Sequence, residues 1–189
     1  MLSPERRHEL LELARRALAH YLDSGKVLAP PPPLDDEEPP AGVFVTLRRQ
    51  RRLRGCIGMV GTGEPLDRAV VRCSLAAATE DPRFQEVSRE ELSHLTMEIS
   101  VLSPLVPVSS PEEIVVGRDG LQIEKAGRRG LLLPQVPQEQ GWNRDAYLEA
   151  LCRKAGLPAD AWRSGARIQR FTAEVFANEK GPGEPGPEE

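Results

Sequence analysis

The stretch "GVFVTLRRQRRLRGCIGMV", Gly42 to Val60, decides how the rest of the chain is read. "GVFVTL" alternates and is rich in β-branched side chains, and "LRGCIGMV" from Leu53 reads as its partner, so the stretch predicts a β-hairpin. Arg48 to Arg52 fall at its tip. With neither Gly nor Asn there, a loop longer than a two-residue primed turn is expected. Five arginines lie within residues 48–54, and the charge then stops at Gly55-Cys56-Ile57-Gly58.

Upstream, Ser3 and Pro4 suit the cap and first position of a helix. Leu10, Leu13 or Ala14, Ala17 or Leu18, and Tyr21 recur at helical spacing, and Gly25 ends it. Residues 28–41, "LAPPPPLDDEEPPA", are proline-rich and acidic and are expected to run extended over the surface as a linker. Downstream, Pro65 opens a helix carrying Leu66, Ala69 or Val70, Cys73, and Ala76 or Ala77, and Asp81-Pro82 stops it. Ser88 to Glu91 form a capping-box pattern, Thr96 to Leu102 a strand, and "SPEE" from Ser110 a helical turn. Gly120 to Leu133 read as a second hairpin with Gly-Arg-Arg-Gly at its tip. Asn143 caps a helix ended by Gly156, and "ARIQRFTAEVFAN" reads as one last strand. Residues 179–189 read as a disordered tail. Strands joined by short turns, without strict alternation with helices, predict an α+β fold with largely antiparallel or mixed sheets and flanking helices.

The 189 residues suit one domain, or one domain of two lobes. The formal net charge is −4, but Asp35, Asp36, Glu37, Glu38 and the tail from Glu179 carry more than all of it, so the folded body is mildly basic. Cys56, Cys73 and Cys152 are an odd number without paired spacing. That argues against a disulfide framework or a zinc site and for a reducing, cytoplasmic setting. No apolar run reaches the length of a membrane span.

"LRGCIG" (Leu53 to Gly58), together with "GVFVTL", "DPRF" (Asp81 to Phe84), "EISVLSP" (Glu98 to Pro104), "GLLLPQV" (Gly130 to Val136), "KAGLP" (Lys154 to Pro158) and "AEVF" (Ala173 to Phe176), resembles the AMMECR-domain family over roughly residues 3–178. Residues 1–178 are accordingly taken as a single domain of that type. The chain resembles in particular the prokaryotic branch named for the AmmeMemoRadiSam system, whose members occur beside a Memo-like protein and a radical-SAM enzyme. The resemblance implies those partners, and an α+β fold in two unequal subdomains with a cleft between them. It supplies no settled reaction, cofactor or catalytic residue.

The candidate site therefore rests on chemistry. Strand alternation places Arg54, Cys56 and Gly58 on one face and Leu53, Gly55 and Ile57 on the other. Cys56 is the candidate catalytic nucleophile, since an arginine beside a thiol stabilises the thiolate. Arg54 would anchor an anionic group, and Gly55 and Gly58 would let a ligand approach the backbone. The alternative is a Cys56 that packs as a small hydrophobe, with glycines that only relieve crowding. Asp81 and Arg83 either contact a ligand or pair with each other, the pairing being the stronger reading. Gln135, just after a strand, offers an amide to a ligand or to loop backbone. His8, His20 and His94 lie outside these motifs, and no metal-ligand spacing or cofactor motif occurs. Enzyme or catalytic accessory acting on a small anionic molecule is the favoured reading. A non-catalytic protein-binding module is the alternative, and nucleic-acid binding through the arginine tips is weaker still, because they lack interleaved aromatics.

Overall fold

The computed structural model describes residues 1–32, 39–61 and 63–178. The acidic part of the expected linker and the expected tail lie outside these residues.

Helix α1 (Pro4–Ser24) begins where the sequence placed it. The Ser3 side chain accepts from the Arg6 backbone N–H at 3.1 Å, and Gly25 closes the helix at φ 69°, donating to the Tyr21 carbonyl at 2.7 Å. Its predicted apolar face, from Leu10 to Leu18, is buried. Strands β1 (Gly42–Arg49) and β2 (Arg52–Val60) form the predicted antiparallel hairpin. Helix α2 (Leu66–Thr79) follows and is buried almost all round, because α1 packs on one side of it and β1 and β2 on the other. Asp67 of α2 is buried and receives the Arg6 guanidinium of α1, at 3.2 Å for one pair of atoms, so the two helices are joined by a charge pair inside the core.

Strand β3 (Leu95–Leu102) lies beside β1, and β8 (Ala173–Ala177) beside β3, giving a four-stranded sheet of order β2-β1-β3-β8. Its inner face carries Val43, Val45, Leu47, Leu95, Met97 and Ile99, all in one core with α1 and α2. By alternation its other face carries Phe44, Thr46, Cys56, Gly58, Thr96, Glu98 and Ser100.

The chain divides into two compact units, residues 1–101 with those from 174 onward, and residues 102–173. The second contains an antiparallel sheet of order β4-β7-β5-β6, from β4 (Val106–Pro107), β5 (Gly120–Lys125), β6 (Arg128–Leu132) and β7 (Arg167–Phe171). A short helix α3 (Gln135–Glu139) and α4 (Arg144–Lys154) complete it. Asn143 caps α4 by accepting from Ala146 at 3.0 Å, as expected, and Tyr147, Leu148 and Leu151 pack on Leu121 and Ile123. The α+β class and the sheets with flanking helices are as predicted.

Three local expectations fail. The first hairpin tip is a two-residue turn, with Arg49 paired to Arg52 and both Gln50 (φ 50°) and Arg51 (φ 64°) in the left-handed region. The twist of the flanking strands imposes a primed turn even on residues that disfavour it. The second hairpin turns at Ala126 and Gly127, so Arg128 and Arg129 belong to the ladder, opposite Lys125 and Glu124. The "last strand" breaks at Thr172 into β7 and β8, one in each sheet. There Ser103 and Thr172 bond twice, backbone N–H to carbonyl and hydroxyl, each at 2.9 Å.

Gly55 is where β2 meets α2, since a Cβ there would run into the Ala77 carbonyl, and a Cβ at Gly58 would run into the Phe44 ring. Backbone yields less readily than a side chain. Gly55→Ala is therefore expected to cost about 2–4 kcal/mol of unfolding free energy and Gly58→Ala about 1 kcal/mol, read from urea denaturation midpoints at unchanged slope. Equal costs would show that Ala77 does not set the helix–strand distance.

Candidate functional site

The site grows from β2 as an edge strand, whose outer side exposes backbone N–H groups that β1 does not take. The segment after α2 covers that side. Asp81, buried, accepts from the Cys56 backbone N–H at 2.8 Å. The same Oδ2 accepts from Nη2 of Arg83 at 2.7 Å, while Oδ1 takes Nε of Arg83 at 2.9 Å and its backbone N–H at 3.1 Å. The doubly bonded Arg83 guanidinium holds the Asp81 carboxyl well below the usual carboxylate range, against the opposing effect of burial, with the two backbone donors adding to it. The guanidinium also lies 5.5 Å from the centre of the Phe84 ring, yet the Arg83 side chain stays 55% exposed.

Cys56 is partly exposed, whereas Cys73 and Cys152 are buried. Thr46, directly across the strand pair, donates its hydroxyl to the Cys56 sulfur at 3.2 Å. Burial pushes the Cys73 thiol up to about 12. Cys56, the partly exposed cysteine, thus has its thiol on the Thr46 hydroxyl and its backbone N–H on the carboxylate that pairs with Arg83. Glu98, half-buried on the same sheet face, has a carboxylate with no hydrogen bond or ion pair among the described residues.

Arg54 is differently employed. The strand register skips it, with Arg48 opposite Leu53 and Leu47 opposite Gly55, so Arg54 is the extra residue of a bulge and leaves the simple alternation. Its Nε and Nη2 meet both oxygens of Glu91 at 2.9 Å, and its remaining donors reach the carbonyls of Gln85 at 2.8 Å and Glu86 at 3.1 Å. It clamps residues 85–91 along the edge strand. Glu91 also accepts from the Ser88 backbone N–H at 3.0 Å, which is half of the predicted capping box, and from Arg49 at 3.2 Å. Gly55 and Gly58 have their free sides filled by Ala77 and Phe44. Gln135 lies in the other unit, at the start of α3. The structure thus brings together Cys56, Asp81 and Arg83, and turns Arg54 onto residues 85–91 instead. Sequence reasoning passed over Thr46, Glu91 and Glu98. Alternation in "GVFVTL" carried the signal for the first, and the Ser-x-x-Glu spacing for the second. All three histidines are exposed, and among the described residues no cluster of His, Cys, Asp and Glu is placed to hold a metal ion.

Residues 11–176 match the AMMECR1 family model. The chain belongs to the AMMECR1 family. A protein of Thermococcus gammatolerans is 46% identical over 187 residues, covering 92% of this chain and 91% of its own. One of Thermococcus kodakarensis is 47% identical over the same span and coverage. The crystal structure of an uncharacterized protein from Pyrococcus horikoshii superposes with a TM-score of 0.83 at 42% identity, covering 96% of both chains. The Pyrococcus horikoshii protein carries the same fold, and the names of these relatives give no activity. No helix among the described residues is long and apolar enough to cross a membrane.

Arg54, through its hydrogen bonds, outweighs desolvation and, with Ser88, holds the Glu91 carboxyl at about 2 instead of its ordinary 4.5. A depressed carboxyl stabilises the fold above its unfolded value, and that stabilisation drains as pH falls from about 4.5 to about 2. Glu91→Gln is expected to lose roughly 1–3 kcal/mol near pH 7 and to flatten the acid limb of the stability curve over that window. Denaturant titrations between pH 2 and 7 check it; parallel limbs in both proteins would remove Arg54–Glu91 as the clamp.

Proposed function

We propose that this AMMECR1-family chain binds a small anionic molecule on the outer face of its first sheet, beside Cys56, and that Cys56 acts on it as a nucleophile. The observation that carries the reading is the Cys56 thiol itself. Cys56 is partly exposed, its sulfur accepts a hydrogen bond from Thr46, and its backbone N–H is held by the carboxylate that also holds Arg83.

The residues take distinct roles. Arg83 offers its exposed guanidinium to the anionic group, with Asp81 fixing its direction. Arg54 is a positioning residue, because its donors are spent on Glu91 and the two carbonyls. Gly55 and Gly58 keep the strand close to α2 and to Phe44, which sets where Cys56 stands. Gln135, at the start of α3, remains a separate ligand-binding candidate within the second unit. Glu98 lies on β3, with β1 between it and Cys56, and takes no part in the thiol chemistry. Three free cysteines accord with a cytoplasmic setting. A Memo-like protein and a radical-SAM enzyme are the partners this reading assigns, as supplier or consumer of the ligand, and co-purification at micromolar concentration tests a stable assembly with either.

Iodoacetamide distinguishes the chemical role from a packing role. Cys56 is expected to alkylate in the folded protein while Cys73 and Cys152 react only on unfolding. Arg83→Met should slow Cys56 alkylation at neutral pH by roughly 3- to 10-fold, because it removes the positive charge beside the forming thiolate. Protection of Cys56 until global unfolding, or an alkylation rate indifferent to Arg83, would leave a binding module without thiol chemistry.

A further inference from the structure

The tip of the β1–β2 hairpin carries features that the Cys56 site does not use. Gln50 and Arg51 occupy its two central positions at φ 50° and 64°, where residues other than glycine are disfavoured. Arg49 and Arg52 are the last cross-strand pair, so two like charges stand directly opposite each other. Arg49 shares Glu91 with Arg54 and remains 48% exposed. Among the described residues, the side chains of Arg48, Arg51 and Arg52 have no ion pair or hydrogen bond.

The second hairpin shows that the fold does not require any of this. It makes the same kind of turn with Gly127 at its second central position. Its arginines are also satisfied, Arg129 by Glu124 at 3.3 Å and Arg128 by the Gly156 carbonyl. The first tip instead combines a strained turn with exposed arginines, of which Arg51 and Arg52 have no ion pair among the described residues. A bound anion between the opposed guanidinium groups would offset the charge and add a reason for the strained turn to hold an arginine at position 51.

We infer that this tip is a binding site for a linear run of phosphates, with Arg49 and Arg52 gripping one phosphate and Arg51 the next. Guanidinium forks match phosphate oxygens, and opposed positions of an antiparallel pair bring two such forks to one anion. Residues 48–54 hold no aromatic side chain. The ligand is therefore held by its phosphates and not by stacked bases. A free polyphosphate and the backbone of a nucleic-acid strand share that chemistry.

Calorimetric titration at low salt with inorganic tripolyphosphate, and separately with a twelve-residue oligothymidylate, separates the sources. At least one probe is expected to bind, with log K falling against log salt at a slope of about −1.5 to −2 for the two phosphates held. Binding of tripolyphosphate alone assigns the site to free phosphate chains, and tighter binding of the oligonucleotide assigns it to a nucleic-acid backbone. Arg52→Gln should reduce the slope by about 1. Arg51→Gly should weaken binding while raising the melting temperature by about 2–4 °C, because glycine relaxes the turn. The inference is overturned if neither probe binds at low salt, or if both variants bind as tightly as the unaltered protein. It is overturned equally if Arg51→Gly melts no higher than the unaltered protein, since the turn would then store no strain.

Discussion

The Asp81 carboxylate is the interaction on which the first unit's functional face depends. It stands just after α2, reaches the outward N–H of Cys56 on the edge strand, and closes a two-pronged pair with Arg83. An edge strand left bare presents unpaired donors, which either attract another chain or cost free energy when covered without partners. Here a single carboxylate satisfies the edge donor and simultaneously fixes an arginine beside the strand. Carboxylates that accept several N–H bonds lose their affinity for protons, which is why Asp81 stays ionised far into acid. The position of the Cys56 backbone is thus tied to a charge cluster and not merely to sheet packing.

The remainder of the covering segment repeats the device with reversed polarity. At Asp81 the segment supplies the carboxylate and the strand supplies the donor. At Arg54 the strand supplies the guanidinium, and the segment supplies the Glu91 carboxylate with the Gln85 and Glu86 carbonyls. The bulge makes this possible, since an arginine in regular register would face across the sheet and not along its edge. Between the two clamps, Val87 is buried and its N–H bonds the Ala78 carbonyl at 2.9 Å, so the segment is also anchored to the end of α2. A loop held at three places is a wall, and the thiol of Cys56 stands beside it.

Elements with strong periodicity were legible from sequence. Helix α1, the first hairpin, β3 and α4 were read correctly because capping residues, alternation and buried apolar spacing agree there. Failures came where tertiary structure overrides local preference. Gln50 and Arg51 carry no turn signal, and only the twist of two long strands forces them into positive φ. Nothing in "ARIQRFTAEVFAN" announces that Thr172 ends one strand and sends the next into a different sheet, because the break is set by partners at Ser103 and Met97 far away in sequence. At the site, the Asp81–Arg83 pairing could be read because the two residues are neighbours. The employment of Arg54 could not, since its partners lie 31 to 37 residues further on.

The two ends of one arginine run carry their charge in different ways. Arg54 and Arg52 are two positions apart, yet the first makes four hydrogen bonds and the second makes none among the described residues. The difference arises from where the covering segment ends. Glu91 is the last carboxylate it brings to the strand, and Arg54 and Arg49 already share it. Beyond that point Arg51 and Arg52 have no ion pair among the described residues, and each adds charge that the fold does not neutralise. A basic run is therefore two things at once in this chain: at its base a structural clamp indifferent to ligands, and at its tip a charge that only solvent, salt or an anionic partner can balance.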